Sequence, residues 1–259
     1  MVDMAAPEGP PFFHDVDPVT RFREDVLDVH VRSDHAGRRP AVIFIHGGPV
    51  PEGHTPRPRD SAVFRGYGAL AAHAGLVGIT FDHPLYTDQH YPQSAATLDA
   101  VVERTRALDQ VDPDRVVPWF FSGGGVLAAA WLRDPPEWLR GIAWTYPVLA
   151  PPPDWPGDVR RFDAVDAVGE HPALPKLLVR VGHEIAGIAG TQDAFVAAAH
   201  DAGAALEVLT IEHAVHGFEV HPFDADARAT VDRAVAWVAA TAVSPGRTPD
   251  AGRRPARPA

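Results

Sequence analysis

Short runs of β-branched and aromatic residues alternate along the chain with longer segments rich in alanine. Several of the runs are apolar throughout, which is typical of strands covered on both faces. The pattern predicts strands at Val26 to Val31, Ala41 to Ile45, Val77 to Phe81, Val116 to Phe121, Ile142 to Leu149, Leu177 to Val181 and Leu206 to Ile211.

The intervening segments predict helices, because their apolar residues recur on one face, as Val231, Val235 and Val238 do. The predicted helices are Ala62 to Ala74, Ser94 to Leu108, Gly125 to Arg133, Thr191 to Ala202 and Asp224 to Ala240. Since strand and helix alternate, we predict the α/β class, with a mostly parallel central sheet and helices on both faces. Short strands around Phe22 to Val31 would add an antiparallel edge.

The two ends of the chain differ from its middle. Prolines interrupt the start, and the last residues are Pro, Gly and Arg with little to bury. We therefore divide the chain into an N-terminal arm (1–19), one α/β domain (20–242) and a disordered tail (243–259). Residues 151–175 are short and rich in proline, which favours a lid-like insertion over a full lid domain. The four arginines of the tail are interpreted as solvated.

Composition narrows the classes of function. The chain has no cysteine, which excludes disulfides, a thiolate nucleophile and an iron–sulfur cluster. Its formal charge of -11 argues against a nucleic-acid partner. No run has the length of a membrane span, and the first residues lack the pattern of a secretory signal. We expect a cytoplasmic protein that acts on a small molecule and does not bind a membrane. The sequence leaves open whether the protein forms a homodimer.

The candidate chemistry lies just beyond the carboxyl ends of the strands, where open α/β sheets bind their ligands. Ser122 follows the Val116 to Phe121 run and precedes Gly123, Gly124 and Gly125. A serine at a tight strand-to-helix turn projects its hydroxyl above the sheet and needs small neighbours, so Ser122 is the candidate nucleophile. The alternative is a helix N-cap at a phosphate-binding turn, although no GxGxxG pattern is present.

Two further strand ends carry suitable groups. His46, Gly47 and Gly48 follow the Ala41 to Ile45 run, and paired glycines can point backbone N–H groups at a negative oxygen. His213 and His216 follow the Leu206 to Ile211 run, where a loop histidine can act as a general base. These two histidines could instead be metal ligands, but no third ligand sits at a diagnostic spacing, so no metal is predicted.

The order of a nucleophile serine, an acid and a histidine is that of the α/β-hydrolases. Over about residues 20 to 240 the sequence resembles that superfamily, in particular small esterases similar to hormone-sensitive lipase or dienelactone hydrolase. The likeness rests on His46-Gly47-Gly48, Phe81-Asp82-His83-Pro84-Leu85, Ser122-Gly123-Gly124-Gly125 and His216-Gly217-Phe218. It implies Ser122 as nucleophile, His216 as base, and an oxyanion hole formed by backbone N–H groups of Gly47 or Gly48 and of Gly123. It implies no cofactor.

The sequence offers two candidates for the acid. Glu184 lies just beyond the Leu177 to Val181 run, where aspartate is commoner, and its longer side chain can still orient an imidazole. Asp193 is the alternative acid. It falls two residues into the helix predicted from Thr191, where interaction with the helix dipole explains an acid, so Glu184 is preferred.

Two residues depart from the family pattern. The first is Glu184, where aspartate is commoner, and the second is Phe120, which stands two residues before the serine, where that family has glycine. We expect its ring to pack in the core. The function expected is cleavage of a small carboxylic ester or lactone by a serine hydrolase through an acyl-enzyme. The alternatives are a non-hydrolytic enzyme of the same fold, such as a lyase, cyclase or acyl transferase, and a catalytically silent binding protein.

Overall fold

One central sheet organises the computed structural model, which describes residues 11–152, 155, 157–221 and 224–244. In this part of the chain the sheet has eight strands: β1 (Thr20–Glu24), β2 (Leu27–Val31), β3 (Arg39–Ile45), β4 (Val77–Thr80), β5 (Val111–Phe121), β6 (Ile142–Thr145), β7 (Lys176–His183) and β8 (Leu206–Val215). Their order across the sheet is β1-β2-β4-β3-β5-β6-β7-β8. β1 pairs antiparallel with β2, and β2 with β4, while all other neighbours are parallel. The predicted parallel sheet with an antiparallel edge is confirmed.

Helices cover both faces of this sheet, as the sequence predicts. They are α1 (Ala62–His73), α2 (Tyr91–Ala107), α3 (Ala129–Arg133), α4 (Ala164–Ala167), α5 (Ala186–Asp201) and α6 (Ala225–Val243). Residues of α1 and α6 share one buried apolar cluster, while residues of α2, α3 and α5 share a second. No helix in the described residues is both long and apolar enough to cross a membrane.

The middle strand β5 explains why its sequence is apolar without alternation. Val117, Trp119 and Phe121 face the cluster of α1 and α6, and Val116 and Phe120 face the cluster of α2, α3 and α5. Because both faces are buried, every position favours an apolar side chain. β5 lies between β3 and β6, so the residue that follows it stands near the middle of the carboxyl edge.

Several predicted boundaries are wrong; β5 begins earlier, at Val111, and β8 runs on to Val215. The run to Leu149 is too long, because β6 ends at Thr145 and Tyr146 has a φ of 37°, which turns the chain out of the sheet. The helix predicted from Gly125 is a 3-10 helix at Ser122–Ala128 followed by α3, since consecutive glycines favour the α-helix poorly. α5 begins at Ala186 rather than Thr191, and the glycines in its first turns hide that start in the sequence.

Described residues of the predicted arm and of the predicted insertion both pack against other parts of the chain. In the arm, described from residue 11, Phe13 is buried and its ring centroid lies 5.4 Å from that of Phe218. In the insertion, described except for residues 153, 154 and 156, Trp155 and Phe162 are buried against Tyr91. α6 runs to Val243, and the predicted tail lies outside the described residues from 245 onward.

Candidate active site

Ser122 occupies a strained turn at the end of β5. Its φ is 48°, a left-handed conformation that costs a non-glycine residue about 1 to 3 kcal/mol. The turn also needs its glycines, because a Cβ on Gly123 would lie 2.4 Å from the carbonyl oxygen of Gly48, and one on Gly124 2.6 Å from that of His46. The tight strand-to-helix turn expected from the sequence is present.

The side chain of Ser122 meets that of His216. The Oγ atom of Ser122 lies 2.8 Å from the Nε2 atom of His216. His216 directly follows β8, and Gly217 behind it has a φ of 72°, which turns the chain after the histidine. The parallel sheet thus brings the carboxyl ends of β5 and β8 to one edge.

Glu184 holds the other nitrogen of the same ring. Its Oε1 atom lies 2.8 Å from Nδ1 of His216, and its side chain is 3% exposed. The same oxygen accepts from the backbone N–H of Ile185, and Oε2 accepts from Nε2 of Gln192. Since a carboxylate only accepts, Nδ1 of His216 carries the hydrogen, and Nε2 is left to accept from the Ser122 hydroxyl.

The alternative acid, Asp193, is not part of this arrangement. It lies in the middle of α5 because that helix begins at Ala186, so the predicted place in a first helical turn is wrong. Its side chain is 67% exposed and accepts from Arg180 at 2.5 Å. The structure therefore brings Glu184, and not Asp193, to His216.

The three predicted oxyanion-hole glycines surround Ser122. A Cβ on Gly47 would lie 3.2 Å from Oγ of Ser122, so the backbone of Gly47 passes directly beside the hydroxyl. Gly48 faces Gly123, the residue after the serine. Among the described residues, no backbone carbonyl oxygen accepts a hydrogen bond from the N–H of Gly47 or Gly48.

Solved structures share this architecture. No protein-family model and no curated protein matches the chain. A mutant of the esterase rPPE superposes with a TM-score of 0.69 at 16% identity over 90% of this chain and 86% of that one. Thermogutta terrifontis esterase 2 phosphorylated by paraoxon gives 0.62 at 19% identity over 88% and 91%. Carboxyl esterase 2 from the fungus Tuber melanosporum gives 0.64 at 16% over 83% and 82%.

The chain has the α/β-hydrolase fold. At these identities the likeness is one of fold, and it confirms the fold that the sequence resemblance implies.

The strand-to-helix turn at Ser122, which we call the elbow, accommodates in the core the phenylalanine that precedes it. Phe120 is fully buried, and its ring centroid lies 6.0 Å from that of Trp131 and 6.2 Å from that of Trp144. Its side chain points to the face of α2, α3 and α5. The expectation that Phe120 packs as core is confirmed.

A stacked histidine pair supports the glycine loop, and sequence reasoning did not find it. The rings of His46 and His83 lie 3.8 Å apart. Nε2 of His46 accepts from the backbone N–H of His83, and Nε2 of His83 lies 3.0 Å from the carbonyl oxygen of His46. Burial lowers the pKa of His46 to about 4 and that of His83 well below its usual value, so both rings are neutral at pH 7. The sequence feature that could have revealed this pair is the Phe81 to Leu85 stretch, which contains His83.

Tyr91 is a second support that the sequence did not reveal. Its hydroxyl donates to the carbonyl oxygen of Gly123 at 2.9 Å. Burial raises the pKa of Tyr91 to about 12, so this hydroxyl stays protonated and remains a donor. The insertion packs against the same ring, and Trp155 and Phe162 therefore help to hold the elbow.

His213, which the sequence offered with His216 as an alternative pair of metal ligands on a loop, does not join the site. It lies within β8, which extends to Val215, and it is exposed. Both ring nitrogens of His216 already face Ser122 and Glu184. In the described part of the chain, no group of three or more His, Cys, Asp or Glu side chains is arranged to hold a metal ion.

Proposed function

We propose that this chain is a serine hydrolase that cleaves a small carboxylic ester or lactone through an acyl-enzyme. The observation that carries the proposal is the hydrogen-bonded series from Ser122 through His216 to Glu184, with 2.8 Å at each step. A serine hydroxyl becomes a strong nucleophile only when a base accepts its proton, and an acid on the far side of the imidazole supports that base.

In the first step Oγ of Ser122 attacks the ester carbonyl carbon, and its proton passes to Nε2 of His216. The tetrahedral intermediate collapses when His216 returns that proton to the leaving alcohol, and the acyl group stays on Ser122. Water then attacks the acyl-enzyme with His216 again as base, which releases the acid and restores the serine. Glu184 keeps the ring oriented and stabilises its charged form throughout.

Backbone N–H groups of Gly47 or Gly48 and of Gly123 are proposed to stabilise the negative oxygen of the tetrahedral intermediate. Gly47 passes beside Oγ of Ser122, and Gly123 follows the nucleophile. Donors that are fixed before the reaction cost no reorganisation when the charge develops, which is why such a loop accelerates acyl transfer. The neutral pair of His46 and His83 supports this loop and does not act as the base.

We propose a compact substrate, because the insertion beside the elbow is short. The insertion contributes the buried rings of Trp155 and Phe162, which pack on Tyr91 beside the elbow. One structurally similar protein, Thermogutta terrifontis esterase 2, is phosphorylated by paraoxon, which supports testing this chain with an organophosphate. Phe120 lies in the core, so the position that favoured a lyase, cyclase or acyl transferase gives those alternatives no support.

The deciding experiment combines covalent labelling with turnover. Paraoxon should add one diethylphosphoryl group to the protein, located on Ser122 by peptide mass spectrometry, and should abolish hydrolysis of p-nitrophenyl acetate. EDTA should not change the rate. Ser122→Ala should neither label nor turn over. An unlabelled wild-type protein, or hydrolysis that EDTA abolishes and zinc restores, would reject the proposed function.

A further inference from the structure

A second acid lies buried behind the proposed base, and the mechanism above does not use it. Glu219 follows His216 by three residues, in the short turn at Phe218–Val220 after β8. The residue is 1% exposed. Burying a carboxyl group costs free energy unless it is well hydrogen-bonded, so the burial of Glu219 requires hydrogen-bond donors nearby.

Two tyrosines from distant parts of the chain donate to this carboxylate. The hydroxyl of Tyr67 on α1 donates to Oε1 at 3.0 Å, and that of Tyr146 after β6 donates to Oε2 at 2.7 Å. Burial, together with the nearby Glu219, raises the pKa of each tyrosine well above its usual value. Both phenols therefore stay protonated and act as donors.

Tyr146 connects this carboxylate to His216. The ring centroids of Tyr146 and His216 lie 4.5 Å apart, with 52° between the ring planes. The two nitrogens of the imidazole are held by Ser122 and Glu184, and Tyr146 covers its face. Since the hydroxyl of Tyr146 is bound to Glu219, the position of the covering ring depends on that carboxylate.

The electrostatic surroundings of Glu219 also link it to His216. The groups that act on it are the phenols of Tyr67 and Tyr146, and the imidazole of His216. Burial raises the pKa of Glu219 to about 7, while the hydrogen bonds and a positive charge on His216 oppose that rise. Opposite charges attract strongly in a protein interior, so a negative Glu219 and a positive charge that forms on the ring behind Tyr146 stabilise each other. From the arm, the backbone N–H of Phe13 donates to the carbonyl oxygen of Glu219 and adds no charge.

We propose that Glu219 is a positioning residue for the base: its carboxylate holds Tyr146 against His216 and stabilises the imidazolium that forms when Ser122 gives up its proton. This inference rests on the proposed function. The imidazolium would then lie between two carboxylates, with Glu184 bound at Nδ1 and Glu219 behind the ring of Tyr146. The protein gains or loses no net proton over the cycle, because His216 passes the first proton to the leaving alcohol and returns the proton that it takes from water to Oγ of Ser122.

The test is the pH dependence of kcat/KM in the full-length Glu219→Gln protein, with p-nitrophenyl acetate as substrate. The amide has the size of the acid but no negative charge, so the imidazolium should form less readily. The midpoint of the acidic limb should move to lower pH by about 0.5 to 1 unit. kcat should fall about tenfold while KM changes little, because the lost stabilisation belongs to the transition state.

Tyr146→Phe provides a second variant, since it keeps the ring and removes only the hydroxyl. Losing this donor makes Glu219 harder to ionise, so the midpoint should move in the same direction by a smaller amount. Glu207→Gln is the matched control, because Glu207 is an exposed acid at the start of β8. Its midpoint should equal that of the wild type.

An NMR titration of the His216 ring, assigned with a His216→Asn variant, reports the same midpoint without any turnover. A midpoint that is unchanged or moves upward in both Glu219→Gln and Tyr146→Phe would overturn the inference, even if their melting temperatures fall. A wild-type protein that neither hydrolyses the ester nor reacts with paraoxon would instead reject the proposed function, and the NMR titration would still decide the role of Glu219.

Discussion

The Nε2 atom of His216 lies 2.8 Å from the Oγ atom of Ser122, although the two residues are 94 positions apart in sequence. The first follows the edge strand β8 and the second follows the middle strand β5, so their meeting depends on the whole parallel half of the sheet.

Replacing either member of this pair should remove most of the activity. Ser122→Ala and His216→Ala should each lower kcat on p-nitrophenyl acetate by about three to six orders of magnitude, because the groups act as a unit. Circular dichroism should show an unchanged fold. The double variant should lose little more than either single variant, and additive losses would mean that the two side chains act independently.

The acid can be assigned by comparing two neutral replacements. Glu184→Gln should lower kcat by more than a hundredfold, since the amide cannot stabilise the imidazolium as a carboxylate does. Asp193→Asn is the matched control, because its exposed side chain pairs with Arg180 instead. Steady-state kinetics of both variants give the ranking, and the reverse order would move the acid to Asp193.

Phe120 should matter for stability and not for substrate choice. Phe120→Gly removes a fully buried ring packed on Trp131 and Trp144, and should lower the free energy of unfolding by about 3 to 5 kcal/mol. Urea denaturation and a series of p-nitrophenyl esters of increasing acyl length measure both effects. Unchanged stability with a shift toward bulkier acyl groups would place the ring in the substrate pocket.

Buried neutral histidines should make the fold sensitive to acid. Burial lowers the pKa of His30 to about 3 and that of His46 to about 4, from an ordinary value of 6.5. The unfolded chain then binds more protons below pH 6.5, so stability is lost as the pH falls from about 6.5 toward 4. Each ring accounts for on the order of 3 kcal/mol over that range.

His30→Gln tests this expectation, because the amide can still meet the hydroxyl of Thr80, which His30 contacts at 3.2 Å. The free energy of unfolding, measured by urea titration at pH 5 and at pH 7, should differ less in the variant than in the wild type. His200→Gln serves as the control, since that side chain is 88% exposed. Equal pH dependence in His30→Gln and the wild type would contradict the assignment.

Local chemistry was enough to predict much of the fold and the central residues of the site. The run from Val116 to Phe121 is apolar at every position because both of its faces are buried, and that requirement is visible in one segment alone. The glycines after Ser122 are likewise a local signal, since the turn admits no larger side chain there. The serine, the preferred acid and the histidine could therefore be named before any contact was known.

The remaining features depend on residues that meet only in the folded chain. The sequence favours Glu184 over Asp193 partly because it places Asp193 in a first helical turn, and that placement is wrong. The pairing of β7 with β8 decides between them, because it places the end of one strand beside the other. Glu219 carries no signal of its own, since its neighbours Tyr67 and Tyr146 stand 152 and 73 positions away. Sequence periodicity reports which faces are buried, whereas the contacts between two strand ends arise from their order in the sheet, which periodicity does not encode.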